Sequence, residues 1–122
     1  MATELILSIN KGDAKLFITS IKDVDGVAMD LSTATELTLY LKNTKKETLK
    51  TYYLVGFSSV ADKIFQDSTT ACHICLPKAI IDAYEGKELN VCGVWKNIDA
   101  EFESGYAEYG LNLENFVIER CD

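Results

Sequence analysis

The chain has 122 residues, 48% hydrophobic and 25% charged, a mixture that builds one globular core and is too short for two good ones. Its net charge is −7 with a single arginine, which argues against a nucleic-acid partner, because phosphate binding needs clustered lysine and arginine. No apolar run reaches the ~20 residues of a membrane helix, and "MATELILSINKGD" lacks the basic start and cleavage site of an export signal, so the protein is expected to stay where it is made.

The charge is uneven. Residues 1–81 carry nine acids and nine bases, whereas residues 82–122 carry ten acids against Lys87, Lys96 and Arg120. An acidic third of this kind serves as a solvated face, with an electrostatic docking face as the alternative.

In chain order, Thr3–Asn10 is rich in β-favouring residues, and Ala14–Lys22 follows after the turn triplet "KGD". Between Lys22 and Ser32 lies "KDVDGVAMDLS", with three aspartates around Gly26. An EF-hand loop needs glycine at its sixth position and glutamate at its twelfth. Counted from Asp23, glycine comes fourth and the twelfth residue is Ala34. The stretch reads instead as an Asp-Gly turn, with Asp30 and Ser32 placed to cap backbone amides. A calcium site of another type at Asp23, Asp25 and Asp30 is the alternative.

Thr35–Asn43 alternates, with Leu37, Leu39 and Leu41 on one face and Thr38, Tyr40 and Lys42 on the other, as in a strand with one buried face. Thr48–Phe57 reads as its hairpin partner, Thr69–Leu76 as another strand, Glu88–Ile98 as another and Glu114–Cys121 as the last. "PKAIIDAYEG" predicts one short helix over residues 77–85, opened by Pro77 and closed by Gly86. About seven short strands and one short helix make a single antiparallel sandwich domain spanning 1–122. Trp95 is expected to anchor its core, with Val91 and Gly93 on the same face.

Four cysteines invite metal or redox readings. "CHIC" has Cys72 and Cys75 at Cys-x-x-Cys spacing, but on a strand residues three apart point to opposite faces. Cys72 then joins Ile74 and Leu76, while His73 and Cys75 share the other side. A zinc knuckle needs both thiolates on one side of a turn. His73 and Cys75 stand ~7 Å apart on their strand, beyond direct hydrogen bonding for a nucleophile pair. The carboxylates of Glu101 and Glu103 read as solvated. No phosphate loop, nucleophile elbow or zinc-protease motif is present in the sequence. No enzyme activity and no cofactor are expected.

The aromatic residues carry the binding signal. Tyr40, Tyr52, Tyr53, Tyr106 and Tyr109 lie among polar residues, and tyrosine is favoured at interfaces because it buries area while keeping a polar tip. "ESGYAEYG" reads as a glycine-bounded loop presenting Tyr106 and Tyr109. A sugar-stacking platform would use the same residues. At the N-terminus, the first ten or so residues, with Leu5 and Ile6, are expected to dock on a neighbouring subunit by adding a strand to its sheet; an ordinary first strand of the chain's own sandwich is the alternative. The expected interface set is Leu5, Ile6, Tyr52, Tyr53, Tyr106 and Tyr109.

The order of these signals, "INKGD", a strand, then "DVDGVAMDLSTATELTLYLK", and later "ACHICLPKAIIDAYEGKELNVCGVW", resembles the N-terminal domains of the phage baseplate upper protein family and related virion modules. The resemblance covers most of the chain. It implies an immunoglobulin-like β-sandwich and a non-enzymatic, structural role in a virion, made in the host cytoplasm. Its partners would be other virion proteins and further copies of itself, with no nucleic acid and no membrane. Family members continue into a long second region, whereas this sequence stops at Asp122, which favours a capsid auxiliary or decoration protein, a head-fibre base, or a baseplate or tail adaptor. The alternative is a bacterial carbohydrate- or ligand-binding β-domain.

Overall fold

A computed structural model of the chain describes residues 5–9, 14–18, 20–22, 25–84 and 86–117. Its elements are β1 (Leu5–Ile9), β2 (Ala14–Ile18), a 3-10 turn (Leu31–Thr33), β3 (Ala34–Asn43), β4 (Thr48–Tyr53), a second 3-10 turn (Val60–Asp62), β5 (Phe65–Gln66), β6 (Cys72–Leu76), α1 (Lys78–Tyr84), β7 (Glu88–Ile98) and β8 (Tyr106–Val117). They form two four-stranded sheets, β1-β2-β6-β5 and β4-β3-β7-β8, with every strand pair antiparallel. This is the expected all-β sandwich with one short helix.

The period-two pattern of the sequence becomes the burial pattern of the sheets. Leu37, Leu39 and Leu41 of β3, Cys72, Ile74 and Leu76 of β6, and Leu89, Val91 and Trp95 of β7 all turn inward. Leu16 and Ile18 of β2 and Leu111 and Leu113 of β8 join them in one core between the layers. Burying each such side chain contributes about 1.5–3 kcal/mol relative to leaving it exposed. Gly93 lies in this inner row opposite Leu39, where a Cβ would run into the carbonyl oxygen of Thr38 and stand 3.0 Å from Leu39 Cδ2. Only glycine lets β3 and β7 approach this closely.

The Asp-Gly turn forms as the sequence suggests. Gly26 takes φ +82°, Lys22 bridges Ala28, and the Met29 amide donates to the Ile21 carbonyl at 2.8 Å. Asp30 Oδ1 then accepts from the Ser32 amide at 2.9 Å and the Ser32 hydroxyl at 2.6 Å, capping the first 3-10 turn and setting Leu31 into the core. α1 opens after Pro77, whose carbonyl accepts from Ile81 N at 3.2 Å, and Gly86 follows its end at φ +76°. Its buried residue is Ile81.

Several boundaries differ from the sequence reading. β2 ends at Ile18 rather than Lys22, because the chain beyond it closes the Asp-Gly turn. β4 ends at Tyr53 rather than Phe57, where the chain bends through Gly56 at φ +80°. β6 begins at Cys72 rather than Thr69, because the Ser68 hydroxyl accepts from the amides of Thr70 and Ala71 and holds a turn there. The last strand begins at Tyr106, eight residues before Glu114, so "ESGYAEYG" is a hairpin turn running into a strand rather than a loop. Gly105 at φ +80° closes that hairpin, and Ala107, Leu111 and Leu113 share the buried face. The short edge strand β5 had no signal in the sequence.

Candidate interface surfaces

Tyr52 is a correction to the expected interface set. It is fully buried, and its hydroxyl donates to the Cys75 carbonyl at 2.8 Å, joining β4 of one sheet to β6 of the other. Burial raises the hydroxyl well above the ordinary tyrosine range, with the neighbouring Cys75 and Asp62 adding to the effect. Tyr52 is therefore an inter-sheet staple, with no surface to offer a partner.

Tyr53 is half-buried and paired with Thr38, on the outer face of the second sheet. Tyr106 and Tyr109 are exposed on β8, at the opposite edge of that sheet. The edges are three strand spacings apart, roughly 14 Å. Tyr106 and Tyr109 stand three residues apart on one strand and so face opposite ways. Tyr106 lies on the outer face, where the Lys96 ammonium sits 4.4 Å from its ring centre, and Tyr109 pairs with Trp95. The two rings do not form a single flat stacking platform. Leu5 pairs with Ile18 and Ile6 with Phe17 in β1–β2; their side chains, and Met1 to Glu4, lie outside the described part of the structure.

The outer face of the first sheet carries a row that the sequence reading missed. Phe17 of β2, His73 of β6 and Phe65 of β5 stand side by side in register. The His73 ring lies 4.9 Å from that of Phe65, stacked, and 5.1 Å from that of Phe17, tilted. His73 Nδ1 is 2.8 Å from both carboxylate oxygens of Asp67, which fixes the ring between its neighbours. The Lys63 ammonium lies 5.1 Å from the rings of both Phe65 and Phe57. This places His73 in a packed surface row. Alternation within "LFI" and "CHI" points Phe17 and His73 to the non-core side of their strands, but nothing local pairs strands so far apart in sequence.

Cys72 and Cys75 follow the alternation. Cys72 is buried and its thiol is pushed up to about 12, chiefly by burial, with the Asp67 charge adding to it. Such a thiol stays protonated at neutral pH and is neither a good metal ligand nor a good nucleophile. Cys75 shares the outer face with His73 and pairs with Lys15. Among the described residues no three of His, Cys, Asp and Glu converge as a metal site, and no helix is long and apolar enough to cross a membrane. Asp23 lies outside the described residues.

Two poles remain. The β7–β8 hairpin carries Asp99, Glu101 and Glu103 around exposed Ile98 and Phe102. Asp99 Oδ1 accepts from the Glu101 amide at 3.0 Å, and the Asp99 amide donates to the Gly105 carbonyl at 2.9 Å. At the far end of β7, a groove of about 330 Å³ runs beside the β3–β4 hairpin, lined by Lys42, Asn43, Lys46, Glu88, Leu89 and Asn115 among others. A second groove, of about 480 Å³, opens between the end of β4 and β5, where Leu54, Val55, Phe57 and Phe65 line it together with Ser32, Lys63 and Gln66. Comparison of the chain with protein-family models, curated proteins and solved structures found no match.

Proposed function

We propose that this chain is a non-enzymatic structural module of a phage particle, an immunoglobulin-like β-sandwich that docks on a larger assembly of other virion proteins and further copies of itself. The observation that carries the reading is the strand order. β1-β2-β6-β5 facing β4-β3-β7-β8 corresponds to A-B-E-D facing C′-C-F-G of immunoglobulin-like sandwiches. The sequence signals that resemble the baseplate upper protein family lie along the chain as an Asp-Gly turn between β2 and β3, the alternating strand β3, and the short helix between β6 and β7. What the residues offer is surface, in aromatic rows, sheet edges and charged hairpins, and surface is what an assembly module uses.

Mass spectrometry of purified particles, with heads and tails separated, tests this. The chain is expected to co-purify with one of the two fractions in stoichiometric amount. Its presence in the host cytosol alone would refute the proposal. Deleting Met1 to Ile6 then separates docking from folding. A variant that stays folded but no longer enters particles makes the first segment a docking strand. Loss of the fold makes β1 an ordinary edge of the first sheet, and undiminished incorporation ends the idea that this segment docks.

A further inference from the structure

The two ends of β7 carry opposite charge. At its last residues the β7–β8 hairpin holds Asp99, Glu101 and Glu103, and residues 97–105 contain no lysine or arginine. Phe102, between two of these acids, is 52% exposed, and Ile98 at the base of the hairpin is 74% exposed. The result is an acidic finger with an aromatic tip, braced by the hydrogen bonds from Phe102 N to Asp99 O and from Gly105 N to Phe102 O.

At the first residues of β7 lies the groove beside the β3–β4 hairpin. A second hollow shares Asn43, Thr44 and Glu88 with it and adds Lys45, Glu47, Tyr84 and Lys87. Lys42, Lys45, Lys46 and Lys87 thus stand against Glu47 and Glu88, a net charge of +2 (four minus two). Two of these lysines already lie over aromatic rings, Lys42 at 5.7 Å from that of Tyr40 and Lys87 at 5.9 Å from that of Tyr84. Lys46 holds φ +63°, a conformation in which glycine or asparagine is usual. The groove rim thus includes a lysine in a left-handed backbone conformation.

We infer that the acidic finger of one copy seats in the lysine-rimmed groove of a second copy, with Phe102 among the lysines, so that the chain associates head to tail. The finger and the groove cannot meet within one molecule. β7 separates them by the 11 residues from Glu88 to Ile98, roughly 33 Å of extended strand. If the finger and the groove meet each other, they meet between two copies. The contact joins two different surfaces, so it builds a ring if the rotation closes and a filament if it does not. Lysine over the Phe102 ring, and carboxylates facing ammonium groups at a wet rim, make an interface that weakens with salt. The inference deepens the assembly reading and rests on its premise of several copies, but its test needs only the purified full chain.

Two variants separate the surfaces, Glu101→Lys with Phe102→Ala for the finger, and Lys45→Glu with Lys46→Glu for the groove. All four positions are exposed hairpin residues, and circular dichroism and thermal melting confirm that each variant folds. Analytical ultracentrifugation at low salt is expected to show wild-type oligomers that shrink as salt is raised. Each variant alone is expected to be a monomer, and their mixture a one-to-one dimer, since each retains one working surface. A wild-type chain that stays monomeric at low salt and millimolar concentration overturns the inference and leaves particle docking to the particle experiment. Variants that still self-associate, or a mixture that stays monomeric, overturn it as well.

Discussion

Tyr52 and Tyr53 are adjacent and chemically identical, yet one is core and the other half-exposed. The difference is the pleat: Tyr52 pairs with buried Leu39, and Tyr53 with Thr38 on the outer face. Once inside, a tyrosine needs a partner for its hydroxyl, and the Cys75 carbonyl supplies it. Tyr52→Phe is expected to lose about 1–2 kcal/mol in urea unfolding, because the bond is removed and a carbonyl is left short of a donor. The raised folded-state hydroxyl pKa also sets a sign. Its stabilising share is fully present below the unfolded value of about 10 and is lost as pH rises beyond it. Wild type should therefore lose more stability than Tyr52→Phe between pH 9 and about 11. Equal alkaline loss in the two proteins would count against the staple.

At the scale of elements, two devices hold the second sheet. One is the close approach of β3 and β7 at Gly93. Gly93→Ala is expected to cost about 3 kcal/mol, because the new methyl group meets a backbone oxygen that cannot swing aside. A urea midpoint within error of wild type would show that the strands can part cheaply. The other device clips the second 3-10 turn onto β4. Asp62 Oδ1 accepts from Lys50 Nζ at 2.9 Å and its Oδ2 from the Ser58 hydroxyl at 2.8 Å, and these bonds hold its carboxyl below the ordinary carboxylate range. A lowered carboxyl pKa contributes stability above the unfolded value, lost as pH falls through the folded one. In an NMR pH titration the Asp62 midpoint should lie below that of a model aspartate, and Lys50→Met should raise it. An Asp62 midpoint unmoved by that substitution would mean that the clip does not form in solution.

The whole molecule depends on one core. Side chains from both sheets, from the 3-10 turn at Leu31 and from α1 at Ile81 pack into a single cluster. Neither sheet can keep its inner face buried without the other, so the two should unfold together. Calorimetry is expected to show one transition with matching calorimetric and van't Hoff enthalpies, on the order of 85 kcal/mol for a chain of this length. Two resolved transitions would divide the chain into separate units. Charge is also a property at this scale. The acidic excess of the C-terminal third is partly spread along β8 and partly gathered at the β7–β8 hairpin, one pole of the sheet, and the lysines of the β3–β4 hairpin stand at the other.

What the sequence determined by itself was local. Period-two alternation set which face of β3, β6 and β7 turns inward. Asp-Gly and the Asp30–Ser32 cap set the turn before β3, and Pro77 and Gly86 bracketed the helix. These rest on backbone conformation and on side chains within a few residues, and so they are written in short stretches. The length of β8 was obscured because Glu108, Gly110 and Asn112 break up the β-favouring pattern, and only pairing along β7 makes a strand of them. Which tyrosine goes inside, and the assembly of Phe17, His73 and Phe65 into one row, depended on strand register across tens of residues. The opposite placement of the acidic finger and the lysine-rimmed groove was likewise fixed only when the strands paired. Register is decided by how two sheets bury their faces against each other, a collective result that no segment of the chain contains alone.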